Sequence, residues 1–115
     1  MKANELMIGD WVYRPACYDQ VKEIRYTGVI GIDGMRGVIA FSELEPIPLT
    51  PEILEKNGFI KERLYCHGTP LQYCVLVDGL WIDISGENFF EGKLDYVHQL
   101  QHALRLCGID KEIEL

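Results

Sequence analysis

The 115 residues carry 48% hydrophobic and 25% charged side chains, the balance of an ordinary globular chain and too apolar for a disordered one. Lysines and arginines number 11 against 18 acids, a formal net charge of -7, which opposes sequence-independent binding to phosphate backbones and adhesion to anionic membrane surfaces. No apolar run approaches the roughly 20 residues that span a bilayer, and Glu5 and Asp10 break the stretch that a secretory leader would need apolar. The expected setting is therefore the cytoplasm, where thiols are the default state of Cys17, Cys66, Cys74 and Cys107.

In the first half, short strands are punctuated by turn residues. Gly9-Asp10 is a turn before the β-prone Trp11-Val12-Tyr13, so a strand is expected to begin near Trp11. Residues 21–27 alternate in part, with Ile24 and Tyr26 on one side and Glu23 and Arg25 on the other. Gly28 and Gly31 interrupt Val29, Ile30 and Ile32, as a bend or bulge would. Asp33-Gly34 has the composition of a two-residue type I′ hairpin, and residues 38–41 supply a further strand. Short strands cornered by glycines predict a small curled sheet or barrel.

Pro46, Pro48 and Pro51 stiffen a joint, which divides the chain into a barrel-like region, 1–48, and an α+β region, 49–115, expected to pack against it. Thr50 and Pro51 suit the start of a short helix with Ile53 and Leu54 inward, and Gly58 suits its end. Residues 59–66, 71–77 and 80–85 are strand-like and predict a three-stranded antiparallel meander, its last two strands joined through Asp78-Gly79. Tyr73, Val75 and Val77 fall on one side of the middle strand, and Cys74 and Leu76 on the other. Both sides are apolar, so this strand is expected to be central and covered on both faces. A last helix is expected between an Asp95 N-cap and Gly108, with Val97, Leu100, Leu104 and Cys107 on one apolar stripe. The fold class is accordingly α+β.

Candidate chemistry is sparse. His98 and His102 have the four-residue spacing of two helical zinc ligands, but Gln99, Leu100 and Gln101 stand where an H-E-x-x-H site needs its glutamate. Both histidines lie opposite the apolar stripe and are expected to face water. Cys66, His67 and Cys74 flank a turn without the tight ligand pairs of a structural zinc site. Cys66 and His67, adjacent on a strand, would point to opposite faces. Asp83, Glu87, Glu91 and Asp95 recur every four residues, but Gly86 and Gly92 make the segment a solvated loop in this reading, and no EF-hand pattern fits. Phe89 and Phe90 within it either anchor that loop or meet a partner. No phosphate-cradling glycine motif and no nucleophile elbow is present, so no catalytic, cofactor-binding or metal site is assigned.

Two resemblances are visible. Leu6-Met7-Ile8-Gly9-Asp10-Trp11-Val12 is similar to the start of SH3-like small barrels, over the first 45 residues or so. With Glu45-Pro46-Ile47-Pro48-Leu49-Thr50, Ile53-Leu54-Glu55-Lys56-Asn57-Gly58-Phe59 and Tyr96-Val97-His98-Gln99-Leu100-Gln101, it also resembles small uncharacterised proteins of gut Bacteroidetes genomes and of phage-like or mobile elements. That resemblance implies a bacterial cytoplasmic setting and a role tied to a mobile element, and it carries over no functional residue.

The expected function is a non-catalytic protein-interaction module, a monomer or weak dimer whose partner is another protein. Contact candidates are Trp11, Tyr13, Tyr18, Phe89 and Phe90, although most of these aromatics are expected to belong to the core. The alternatives are a nucleic-acid-associated protein, or an acidic inhibitor of a nucleic-acid-binding one, and thirdly a small metal-dependent enzyme.

Overall fold

The computed structural model describes residues 1–14, 17–31, 37–61 and 70–115. The chain divides into two compact units, Met1–Ile47 and Pro48–Leu115, and each contains its own sheet. The fold is α+β.

In the first unit, β1 (Trp11–Arg14), β2 (Cys17–Ile24), β3 (Gly28–Gly31) and β4 (Ile39–Ala40) pair antiparallel in sequence order. A 3-10 turn, Phe41–Glu43, follows β4. Glu45 then returns to the open edge of β1, exchanging two backbone hydrogen bonds with Tyr13 of 2.8 and 2.9 Å. The result is the SH3-like curled sheet expected of this half. Alternation sets its inside: Leu6, Val12, Val21, Val29, Ile39 and Leu44 form the core. The β2–β3 register slips between Val21 and Glu23, a bulge that bends the strand.

β2 begins earlier than residue 21. Cys17-Tyr18-Asp19-Gln20 is too polar to read as a strand, yet each residue pairs with β1, because its one inward acid has a partner. Asp19 Oδ2 lies 3.5 Å from Arg14 Nε, both side chains 8% exposed. The same Nε donates to Cys17 Sγ at 2.8 Å. Asp33-Gly34 lies outside the described residues.

In the second unit, α1 (Pro51–Lys56) starts as expected: Thr50 Oγ1 accepts from the Ile53 N–H, and Leu54 is fully buried. Such a cap contributes about 1 kcal/mol. Gly58 closes the helix with φ +86°, the left-handed conformation that favours glycine. The side chain of Asn57 donates to Glu114 O at 2.7 Å and accepts from its N–H at 2.8 Å, pinning the tail so that Ile113 is buried.

The second sheet runs β5 (Ile60–Lys61), β6 (Leu71–Leu76), β7 (Gly79–Ser85) and β8 (Phe89–Lys93). The three-stranded antiparallel meander is β6–β7–β8, one strand later than the sequence indicates. Of the strand expected over 59–66, the described part is β5, which is parallel to β6, and the remainder lies outside the described residues. The segment read as an acidic loop is β8 instead. Gly92 opposes Ile82 on the core side, where a small residue leaves room for the Phe90 ring. The hairpin loop is Val77-Asp78, since Leu76 pairs with Gly79, one residue ahead of the Asp78-Gly79 expectation.

β7 is the regularly alternating strand, with Leu80, Ile82 and Ile84 buried. β6 is covered on both faces at Gln72 and Tyr73, but not at its hairpin end, where Val75, Leu76 and the following Val77 are exposed. α2 (Val97–Leu106) buries Val97, Leu100, Ala103 and Leu104, and Cys107 beyond it is buried too. Its N-cap is Tyr96 rather than Asp95. Gln99 Oε1 accepts from both backbone N–H groups, at 2.9 Å from Asp95 and 3.1 Å from Tyr96, so an amide three residues into the helix supplies the cap. At the other end the β7–β8 turn caps the last carbonyls. The Glu87 N–H donates to Cys107 O at 2.8 Å, and the Asn88 amide to Leu106 O at 3.1 Å.

Candidate functional site

Three of the five aromatic candidates share one surface. Residues two apart on a strand face the same way, so Trp11 and Tyr13 lie on the side of β1 opposite the buried Val12 and Arg14. The antiparallel register sets Tyr18 of β2 directly across from Tyr13, and Gln20 across from Trp11. The two tyrosine rings meet edge to face, centroids 5.7 Å apart and planes at 66°, a favoured geometry for aromatic quadrupoles. Tyr13 is 38% and Tyr18 57% exposed, and Trp11 is half-buried. None of the three belongs to the core, against the expectation that most of the candidates would, because alternation along β1 and β2 turns them away from Val12 and Val21.

Beneath the platform lies a buried ion pair. Arg14 and Asp19, the inward neighbours of Tyr13 and Tyr18, hold the hairpin through their ion pair. On the facing strand, a methyl group at Gly31 would collide with the Asp19 carboxylate. Gly31 thus admits the buried acid, and its position was visible in the sequence only as a bend.

Phe89 and Phe90 belong to the second unit and part ways. Phe89 is 82% exposed on the outer face of β8 opposite Ser85, whereas Phe90, half-buried, pairs with Ile84. Alternation along a strand, in place of a loop, makes one of the pair an anchor and the other a surface residue.

The histidines need a correction. His98 does not face water: it is 5% exposed, stacked on Tyr96 at 5.9 Å and edge-on to His102 at 5.6 Å. α2 is buried over more than one stripe, Gln101 included. A single amphipathic stripe therefore underestimates how much of this helix is covered. Among the described residues, no three His, Cys, Asp or Glu side chains are arranged to hold a metal ion, and Cys17, Cys74 and Cys107 are thiols. Burial pushes the Cys107 thiol above its ordinary pKa. Cys66 and His67 lie outside the described residues.

A second surface escaped the sequence reading. On the outer face of the second sheet a pocket of about 170 Å³ is lined by Cys74, Leu76, Trp81, Ile82, Asp83 and Glu91. Its signal was available in the alternation of Phe89, Glu91 and Lys93, but only with that segment taken as a strand. No family model, no curated protein and no solved structure matches this chain.

Proposed function

We propose that this chain is a non-catalytic protein-interaction module and that the outer face of the β1–β2 hairpin is its docking surface. The observation that carries the reading is the Tyr13–Tyr18 pair, held edge to face and exposed beside Trp11. Tyrosine and tryptophan are enriched at protein interfaces because a rigid ring buries much apolar area while its polar atom stays hydrogen-bonded. The non-catalytic part rests on the sequence, which offers no nucleophile, metal or phosphate motif. The net charge of -7 favours a protein partner over direct contact with nucleic acid. A bacterial cytoplasmic setting in the company of a mobile element is proposed with it, on the sequence resemblance.

The test is photo-crosslinking in host cells, with a benzophenone amino acid in place of Tyr18 and, as control, of the exposed Lys111 in the second unit. A discrete protein adduct from position 18, missing from position 111 and lost on Tyr13→Ala, is the expected result. Adducts to nucleic acid, or equal labelling from both positions, would overturn the reading.

A further inference from the structure

The strand register sorts the outer face of the second sheet into two cross-strand rows, Cys74, Trp81 and Lys93 in one, Gln72, Asp83 and Glu91 in the next. The pocket of about 170 Å³ takes its lining from both rows and from Leu76. Asp83 and Glu91 are direct cross-strand partners, a like-charge placement that destabilises a sheet unless a cation joins it. The cation nearest in register turns away. A Cβ at Gly79 would lie 2.7 Å from Lys93 Cε, so the lysine stem runs toward the hairpin end, and its Nζ sits 3.8 Å from Asp95 Oδ1. Among the described residues, neither Asp83 nor Glu91 is in an ion pair. Trp81 directs its indole N–H to Asp78 Oδ1 at 3.3 Å, which leaves ring surface for the pocket.

An aromatic ring with two carboxylates is complementary to an organic cation. The volume is well below the roughly 300–1,000 Å³ of sites for drug-sized molecules, and it suits the head of one side chain. Exposed Leu76 and Phe89 continue the same face and offer apolar contact to the chain that carries that head. We propose that the pocket takes the ammonium or guanidinium of a lysine or arginine in a basic peptide segment of a partner protein. This site is on the second sheet and does not rest on the aromatic face of the first.

The test uses the full chain with Trp11→Phe, which leaves Trp81 as the one remaining tryptophan of two. Its emission is followed during titration with an acetylated, amidated peptide alternating glycine and lysine, with the glutamate counterpart, and with n-butylammonium. The lysine peptide is expected to give a saturable change, weakened about tenfold or more by Asp83→Asn with Glu91→Gln, and the glutamate peptide none. Absence of saturation, or undiminished binding by the double variant, would overturn the proposal. So would n-butylammonium binding as tightly as the peptide, which would make the occupant a small amine. Calorimetry on the unsubstituted chain decides the same point without a variant: affinity for the lysine peptide must fall as salt rises, and salt-independent binding would sink the idea.

Discussion

Asp19 is the residue on which the first sheet's geometry turns. Its carboxylate is buried against Arg14, accepts from the Gln20 N–H at 2.8 Å, and occupies the space that Gly31 leaves. Removing one member of a buried ion pair strands the other, at a cost of about 3–5 kcal/mol, whereas removing both is far milder. Asp19→Ala should therefore lower stability in urea by that amount, and Asp19→Ala with Arg14→Met should lose less than the sum of the two single changes. Additive losses would show that the pair is not coupled. Tyr73 is the corresponding residue in the second unit. Its hydroxyl donates to Glu55 Oε1 at 2.6 Å. That bond, with burial and the charge of Glu55 behind it, pushes the Tyr73 pKa up to about 12. Because the folded value lies above the ordinary 10.0, the stabilisation is complete below pH 10 and drains away as pH climbs toward 12. An alkaline absorbance titration should show a phenolate step near pH 12 that Tyr73→Phe abolishes. A variant with an unchanged titration would refute the assignment.

Among the elements, α2 shows how a local signal can be right in kind and displaced by one residue. Asp95 looks like the N-cap, yet Gln99 turns back to accept from the N–H groups of residues 95 and 96. Gln99→Ala should then cost about 1 kcal/mol, while Asp95→Ala should cost less, as read by thermal unfolding. The reverse order would restore Asp95 as the cap. Helix α1, by contrast, was legible in full, because Thr50, Pro51 and Gly58 act within one or two turns of themselves. β8 was not legible. Phe89-Phe90-Glu91-Gly92-Lys93 has a glycine and two charges in five residues, and it becomes a strand because β7 offers it a full ladder of partners. With β8 in place, Trp81, Asp83 and Glu91 come together; without it they are scattered along a sequence.

At the scale of the whole molecule, two units each close their own core, Val12, Val21 and Val29 in one, and Leu54, Ile82, Ile84, Leu100 and Leu104 in the other. Among the described residues no helix is long and apolar enough to cross a membrane. The α+β class, the curled sheet of the first half, the caps of α1 and the apolar stripe of α2 each leave a signal of turn residues, caps or periodicity within a short window, so the sequence is enough to state them. The Arg14–Asp19 pair depends on the register that turns both side chains of one hairpin inward. The burial of His98, the room kept by Gly31 and the outward side of β6 each depend on a group supplied from elsewhere in the chain. Local pattern cannot name that group, since burial belongs to a pair of surfaces and a sequence window contains one of them.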